Sequence, residues 1–203
     1  MLKYIAVAGN IGAGKTSLVE FLRSRFNLSP FYEPNDNNPY LWDFYRNMSK
    51  WSFHSQVYFL SKKARLHQEL QKGRDTAIQD RTIYEDAEIF AKNLYMQGLM
   101  DPRDFATYWE LYEALKSSLR PPDVLIYLQS NLRTIRKRIA KRDREIERVI
   151  PKNYLKRLQR LYSRWIAGYD ISPVITIRTD RMDYVSDLVD QLELLKRIEG
   201  YIK

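Results

Sequence analysis

The chain has 203 residues, of which 44% are hydrophobic, and it carries a formal net charge of +9. This length suits one sizeable core and is short for two full domains, so a single domain over residues 1–203 is expected. The lack of cysteine excludes disulfides and cysteine-held zinc or haem, and with only two histidines any metal is expected to be Mg²⁺ held by oxygen atoms.

Short apolar segments alternate with longer segments of helical periodicity along the chain. The predicted strands are Lys3–Ala8, Phe31–Glu33, Thr76–Asp80, Val124–Leu128 and Val174–Arg178. The predicted helices are Lys15–Phe26, Tyr40–Met48, Phe53–Leu70, Ile83–Gln97, Asp104–Leu119, Asn131–Ala140, Lys152–Tyr169 and Val185–Ile198. Strands that alternate with helices favour a five-stranded parallel sheet flanked by helices on both faces, a three-layer α/β fold.

The segment between the first strand and the first helix reads GNIGAGKT and matches the phosphate-loop pattern G-x-x-x-x-G-K-[ST]. Its glycines let backbone N–H groups surround phosphate oxygens, while Lys15 neutralises the outer phosphates and the Thr16 hydroxyl can ligate Mg²⁺. A plain turn would explain the glycines but not the Lys-Thr pair. The fold is therefore expected to be P-loop NTPase-like. The predicted ATP-binding residues of the loop are Gly9, Asn10, Ile11, Gly12, Ala13, Gly14, Lys15 and Thr16.

Charged residues are predicted to end the second and third strands, Glu33 in one and Asp80 with Arg81 in the other. In parallel α/β sheets, ligands bind outside the carboxyl ends of the strands. Phosphoryl transfer needs charge neutralisation, which Arg81 can supply, and a group that takes the proton of the acceptor. Glu33 and Asp80 are both candidates for that base, and a carboxylate beside Thr16 could instead hold Mg²⁺. Sequence alone does not divide these roles.

The positive charge is concentrated in residues 133–164, which hold 13 Lys and Arg against 3 Asp and Glu, a net +10 compared with +9 for the whole chain. Within this segment Arg138 and Arg142 share a helix face, and Arg144 lies in the weakly apolar stretch that follows. We predict a basic lid over residues 138–150 that brings guanidinium groups to the phosphates. An ordinary solvated helix face and a nucleic-acid-binding NTPase are the alternatives.

The order and spacing of these blocks are similar to those of the deoxynucleoside kinase family, and the bacterial deoxyadenosine and deoxyguanosine kinases are the nearest subgroup. The blocks that carry the resemblance are GNIGAGKT, YEP, FYRNMSKWSFHSQ, QDRTIYED with IFAKNLYMQG, and KRIAKRDREIERVIP. The resemblance covers about nine tenths of the chain. It implies an enzyme that uses ATP and Mg²⁺ to phosphorylate the 5′-hydroxyl of a deoxynucleoside, expected to be deoxyadenosine first and deoxyguanosine next.

The resemblance also implies roles for individual residues. Glu33 contacts the 5′-hydroxyl, and Asp80 and Arg81 match an acid-arginine pair whose acid is a proton acceptor or a Mg²⁺ partner. The remaining substrate-binding matches are Tyr45 and Glu147 at the 3′-hydroxyl, Gln56 at the base edge and Asp86 at the base end of the pocket. The remaining ATP-binding matches are the lid residues Arg138, Arg142 and Arg144, and Arg181 and Asp183 in a loop after the fifth strand.

The base preference is open because the chain departs from the animal members of the family. Lys63 stands where those members carry an arginine, seven residues after Gln56, and Asn38 and Tyr40 occupy the region of their pocket tryptophan. A pyrimidine or broad-range deoxynucleoside kinase is the alternative within the family. A kinase acting on a thymidylate-type monophosphate is disfavoured, because Glu33 would repel an incoming phosphate.

The resemblance implies a homodimer, although the apolar stripe Ile83, Ala87, Phe90 and Leu94 fits core packing equally well. The first strand begins at Lys3 or Tyr4, which leaves no room for a cleavable presequence. No apolar run reaches the roughly 18–20 residues that span a bilayer. A cytoplasmic protein without membrane or nucleic-acid partners is expected.

Overall fold

The computed structural model of the protein describes residues 3–33 and 38–202. Its strands are β1 (Tyr4–Gly9), β2 (Leu28–Phe31), β3 (Thr76–Asp80), β4 (Val124–Gln129) and β5 (Val174–Arg178). They form one sheet in the order β2-β3-β1-β4-β5, and every neighbouring pair is parallel. This confirms the predicted α/β fold with a five-stranded parallel sheet.

Helices connect the strands and cover both faces of the sheet. They are α1 (Lys15–Arg25), α2 (Leu41–Arg46), α3 (Met48–Lys72), α4 (Ile83–Glu85), a π-helical segment (Asp86–Ala91), α5 (Lys92–Met96), α6 (Pro102–Ser117), α7 (Leu132–Arg142), a 3₁₀ turn (Glu145–Glu147), α8 (Lys152–Ala167) and α9 (Leu188–Ile202). None of the helices within residues 3–33 and 38–202 has the length and apolar character to cross a membrane.

The central strand β1 supplies side chains to two hydrophobic cores, one on each face of the sheet. Tyr4, Ala6 and Ala8 pack into the core beneath α3 to α6 and α8, whereas Ile5 and Val7 pack into the core beneath α1 and α9. Successive side chains of a strand point to opposite faces, so a continuously apolar strand is stable only between two covering layers. The six residues of β1 are all buried, as the three-layer fold requires.

The second strand differs from its prediction, because β2 ends at Phe31 and Glu33 lies two residues beyond it. Phe31 pairs with Gln79, and β3 ends at the next residue, Asp80, so a longer β2 would have almost no partner strand. The prediction that Glu33 ends the strand is therefore wrong. Asp80 does end β3 as predicted.

The helices after β2 also differ from their predicted bounds. The predicted helix Tyr40–Met48 stops at Arg46, and α3 starts at Met48 instead of Phe53. Asn47 separates the two helices because its side chain accepts the Lys50 backbone N–H and so caps the start of α3. The stripe Ile83, Ala87, Phe90 and Leu94 is buried within the chain, in favour of core packing.

Candidate active site

A cavity of about 520 Å³ lies at the carboxyl ends of β1, β2 and β3. It extends from the phosphate loop to α2, α3 and the 3₁₀ turn, so a single chamber can hold two ligands end to end. The predicted site residues that line it are Ile11, Gly12, Gly14, Lys15, Thr16, Glu33, Tyr45, Gln56, Asp80, Arg81, Asp86, Arg142, Arg144 and Glu147.

The phosphate loop takes its shape from backbone conformations that only glycine adopts without strain. Gly12 has φ 78° and Gly14 has φ 101°, both in the left-handed region. The Lys15 ammonium donates to the carbonyl oxygens of Gly9 at 3.0 Å and Asn10 at 3.3 Å. Burial, together with the neighbouring Arg81, lowers the pKa of Lys15 from 10.5 to about 8. The loop thus holds a desolvated cation against its own backbone, ready to pair with phosphate.

Replacement of Gly12 by alanine should destabilise the protein and weaken ATP binding. A Cβ there would lie 2.9 Å from Ile139 Cγ1 and 3.0 Å from the Ile135 carbonyl oxygen, and it would also be strained by the positive φ. Strain and overpacking together should lower the free energy of unfolding by about 2–4 kcal/mol, measured by urea denaturation. Gly98→Ala is the control, because Gly98 has φ 64° but no atom within 4 Å of its added Cβ. Equal losses of unfolding free energy in Gly12→Ala and Gly98→Ala would show that the close approach of Gly12 to α7 contributes nothing, and would contradict this prediction.

Asp80 and Thr16 meet beside the phosphate loop, where the Thr16 hydroxyl donates to Asp80 Oδ2 at 2.6 Å. The second oxygen, Asp80 Oδ1, is buried and has no hydrogen-bond partner among the described residues. Mg²⁺ prefers oxygen ligands and commonly uses one or two carboxylates together with substrate phosphates. This pair of oxygen donors fits a magnesium ion bound next to a triphosphate.

Glu33 lies at the centre of a line of ionic contacts that crosses the cavity. Its Oε1 accepts hydrogen bonds from Arg81 Nη1 at 2.6 Å and from Lys63 Nζ at 3.1 Å. Lys63 also donates to Asp86 Oδ1 at 2.5 Å. Arg81 directly follows Asp80, the candidate magnesium ligand, in the chain. The contacts of Arg81, Glu33 and Lys63 therefore extend from the phosphate end of the cavity to Asp86 at its far end. Glu33 therefore lies between the two ends.

Lys63 was not predicted as a site residue, yet its side chain is fully buried beside two carboxylates. A lysine within a long helix is ordinarily exposed to solvent, so its presence in the sequence does not by itself indicate a functional site. The usable signal is its spacing of seven residues from Gln56, two helical turns, which places both on one face of α3. Its two contacts neutralise carboxylates that would otherwise repel each other in the cavity.

The far end of the cavity presents polar groups that are shielded from solvent. Gln56 is 3% exposed, and its Oε1 has no hydrogen-bond partner within the described part of the chain. Burial raises the pKa of the Tyr45 hydroxyl and that of the Asp86 carboxyl, the latter opposed by the charge of Lys63. Glu147 accepts hydrogen bonds from Arg142 Nε at 3.1 Å and Nη2 at 2.5 Å. A buried amide oxygen without a partner is ready to accept a hydrogen bond from a polar ligand.

Six predicted ATP-binding residues do not line the cavity, and three of them, Arg138, Arg181 and Asp183, lie outside the phosphate loop. Arg138 lies behind the phosphate loop, where its guanidinium donates to the Ala13 carbonyl oxygen at 2.9 Å and to the Thr179 carbonyl oxygen at 2.6 Å. Arg181 and Asp183 are exposed. The Asp183 carboxylate accepts the backbone N–H groups of the two turn residues Val185 and Ser186. Arg138 is thus placed to brace the loop from behind.

The remaining predicted loop residues, Gly9, Asn10 and Ala13, form the inner side of the phosphate loop. The Asn10 side-chain amide donates to the Leu155 carbonyl oxygen at 3.1 Å and to Gln159 Oε1 at 3.2 Å, both in α8. Gly9 approaches β4 so closely that a Cβ would lie 2.9 Å from the Leu128 carbonyl oxygen. These residues hold the loop in place and leave its other side to the ligand.

Comparison with known families decides which class of enzyme carries this site. The model of the family described as deoxynucleoside kinase matches residues 5–203. The chain belongs to the deoxynucleoside kinase family. Family membership and the phosphate-loop cavity together make the protein a phosphotransferase, as the sequence predicted.

Individual members of the deoxynucleoside kinase family resemble the chain over nearly its whole length. The deoxyadenosine/deoxycytidine kinase of Bacillus subtilis is 37% identical, covering 93% of this chain and 90% of the relative. The deoxyguanosine kinase of Lactobacillus johnsonii is 38% identical, covering 98% and 92%. The structure of M. mycoides deoxyadenosine kinase with the products dCMP and a flexible dCDP bound has a TM-score of 0.84, with 28% identity and 98% and 100% coverage.

Proposed function

We propose that the protein transfers the γ-phosphoryl group of ATP to the 5′-hydroxyl of a purine deoxynucleoside, deoxyadenosine first and deoxyguanosine next, in nucleotide salvage. The observation that carries this proposal is the position of Glu33 between the phosphate loop and the buried polar end of one cavity. A nucleoside bound with its base at that end and its 5′-carbon toward Arg81 would present its hydroxyl to Glu33. The family and the named relatives support the same acceptor class.

In this reaction the acceptor oxygen forms the new P–O bond as the bond from the γ-phosphorus to ADP breaks. Glu33 takes the proton of the hydroxyl, while Arg81 and Lys15 offset the negative charge on the transferring group. Asp80 and Thr16 would hold Mg²⁺, which when bound neutralises phosphate charge. Arg142 and Arg144, which line the same cavity, approach the triphosphate from the lid over residues 138–150.

The sugar would lie between Tyr45 and the 3₁₀ turn. Tyr45 and Glu147 both line the cavity, and each can bond to a 3′-hydroxyl. Because Glu147 is already paired with Arg142, sugar binding and lid position are coupled at this carboxylate. Two side chains that bind the 3′-hydroxyl would leave little room at the neighbouring 2′ position, which favours deoxyribose.

Base recognition is assigned to Gln56, with Asp86 closing the pocket. A carboxamide offers a donor and an acceptor side by side, which suits a base with an amino group next to a ring nitrogen. Gln56→Leu should therefore raise KM for deoxyadenosine about tenfold or more and change KM for ATP by less than about twofold. The control is Gln68→Leu, an exposed glutamine of the same helix. A matching rise in both KM values would contradict this assignment.

A broad-range activity that includes deoxycytidine is the second candidate. One relative is named a deoxyadenosine/deoxycytidine kinase, and the M. mycoides enzyme carries dCMP as a product. Cytosine also has an amino group next to a ring nitrogen, so Gln56 suits it as well. Incubation of the protein with Mg-ATP and each of the four deoxynucleosides, with kcat/KM measured for each, ranks the bases. Preference for the two purines supports the first candidate, and equal use of deoxycytidine supports the second.

Addition of the deoxynucleoside monophosphates as acceptors to the same experiment separates the enzyme classes. Glu33 would lie next to the phosphate of a monophosphate acceptor and repel it, so a deoxynucleoside monophosphate should be a poor substrate. The alternative of a nucleic-acid-binding protein is based on the basic surface of α7 and α8. Steeply salt-dependent binding to DNA without nucleoside turnover would support that alternative.

The homodimer, the cytoplasmic location and the single domain with its lid remain predictions. Large apolar side chains stay exposed on α5 and α6, namely Tyr95, Met96 and Leu111. Such a surface is compatible with a second copy of the chain. Light scattering of the purified protein measures the oligomeric state.

A further inference from the structure

Glu85 is a fully buried carboxylate that contacts three separate parts of the chain and is absent from the predicted site. Its Oε1 accepts hydrogen bonds from the Gly9 backbone N–H at 3.2 Å and from the Tyr162 hydroxyl at 2.8 Å. Its Oε2 accepts the Thr82 backbone N–H at 3.1 Å, at the start of α4. The Arg81 guanidinium lies 3.9 Å from Oε1. Thr82 and Tyr162 thus hold the carboxylate in an orientation in which it contacts the phosphate loop at Gly9.

Gly9, whose backbone Glu85 contacts, is the first residue of the phosphate loop. Its N–H faces Glu85, while its carbonyl oxygen, in the next peptide group, accepts from Lys15 Nζ at 3.0 Å and from Arg81 Nη2 at 3.4 Å. Glycine has no side chain to restrict rotation about the two backbone bonds between these peptide groups. Loss of the Glu85 contact would release the N–H, and rotation about those bonds would move the oxygen to which both cations are bonded.

Helix α8 reaches the same loop through a row of residues on one face. The Leu155 carbonyl oxygen and Gln159 Oε1 accept from the Asn10 side chain, and Tyr162 donates to Glu85. Residues four and seven positions apart lie on one side of a helix. Because α8 begins directly after the lid segment that carries Arg142 and Arg144, its position also sets where those arginines enter the cavity.

We propose that Glu85 is a positioning residue for phosphoryl transfer, which holds the Gly9 backbone and helix α8 in one arrangement so that the phosphate loop and the lid arginines act on the same triphosphate. Without Glu85, the loop would keep its Asn10 contacts to α8 but lose the link at Gly9, and the triphosphate would meet a less organised site. This inference rests on the proposed use of ATP as donor. It separates Glu85 from Glu33 and Asp86, whose contacts lie on the nucleoside side.

The test compares Tyr162→Phe, Glu85→Gln, the double variant and a control. Tyr162→Phe removes one hydrogen bond to Glu85 and leaves the shape of the side chain unchanged. The control is Tyr108→Phe, because Tyr108 is equally buried in the same core and its hydroxyl has no partner among the described residues. For each variant, the Kd for Mg-ATP by calorimetry and both KM values by turnover are measured, with the melting temperature as a check on folding.

Tyr162→Phe should raise the Kd and KM for ATP about fivefold, and Glu85→Gln about tenfold or more, with KM for the deoxynucleoside changed by less than about twofold. The double variant should bind ATP no more weakly than Glu85→Gln, since both changes break one network. Tyr108→Phe should match the wild type. Unchanged ATP affinity in Tyr162→Phe, or equal rises in both KM values, would overturn the proposal. An inactive wild type that binds ATP would refute the proposed function alone, because the calorimetric comparison is independent of turnover.

Discussion

Replacement of Glu33 by glutamine should lower kcat for deoxynucleoside phosphorylation by about 10²–10⁴-fold and leave the Kd for Mg-ATP within about twofold. Glutamine keeps the size of the side chain but cannot take a proton from the acceptor hydroxyl. The buried cations Arg81 and Lys63 would also lose the charge of their shared partner. Steady-state kinetics together with calorimetric ATP binding measure the two effects separately.

The control for this substitution is Glu69→Gln, an exposed glutamate in α3, which should keep wild-type kinetics. Loss of a shared ion-pair partner destabilises buried charges by a few kcal/mol, so the melting temperature must be shown to exceed the assay temperature. Asp80→Asn tests the other carboxylate. Loss of turnover in Asp80→Asn is expected from its role at Mg²⁺, so full turnover in Glu33→Gln is the result that would contradict the assignment and leave Asp80 as the candidate base.

Replacement of Lys15 by methionine should abolish measurable ATP binding and at the same time stabilise the unliganded protein. The Lys15 pKa of about 8, compared with 10.5, corresponds to a burial cost of about 3 kcal/mol for the charged side chain. Its hydrogen bonds to the Gly9 and Asn10 carbonyl oxygens offset part of that cost, about 1 kcal/mol each. We expect the free energy of unfolding to rise by about 1 kcal/mol in the variant.

The change in the free energy of unfolding of Lys15→Met should depend on pH, because its cause is the burial of a charged lysine. Below pH 8, Lys15 is charged in the folded and unfolded protein, and the cost of burial is fully present. Between pH 8 and 10.5 the unfolded chain binds more protons, so wild-type stability gains on the variant by about 1.4 kcal/mol per pH unit, and the wild type becomes the more stable protein before pH 9.5. Urea denaturation in EDTA at pH 7 and pH 9.5 measures the difference in the free energy of unfolding between Lys15→Met and the wild type. The control is Lys72→Met, at an exposed lysine. A Lys15→Met variant that is less stable than the wild type at both pH values would contradict the account.

The sheet and the phosphate loop were predictable because their signals are local. A buried parallel strand between two layers is apolar along its whole length, as β1 is, and the phosphate-loop pattern lies next to it. Asp80 was located because it ends a strand of that kind. Residues in the phosphate loop and at the ends of buried strands can be predicted from short segments of sequence, without knowledge of the rest of the fold.

The parts of the site that the sequence missed or misplaced depend on distant packing. Glu33 was predicted as a site residue at the end of a strand, but it reaches the cavity from a loop, since the edge strand β2 stops where its partner β3 stops. Lys63 and Glu85 are charged residues in helical segments, and their burial follows only from the carboxylates, amide groups and hydroxyl that other elements bring to them. Arg138 and Arg142 share a spacing but not a role, because the first faces the back of the phosphate loop and the second lines the cavity.

Transfer of label from γ-labelled ATP tests the central claim most directly. The purified protein is incubated with Mg²⁺, labelled ATP and one of three acceptors, and the products are separated. The acceptors are deoxyadenosine, its 2′,5′-dideoxy analogue, which lacks the acceptor hydroxyl, and deoxyadenosine 5′-monophosphate. Our account predicts label in deoxyadenosine 5′-monophosphate and none on the analogue. Label released only as inorganic phosphate, or transferred to a deoxynucleoside monophosphate but not to a deoxynucleoside, would contradict it.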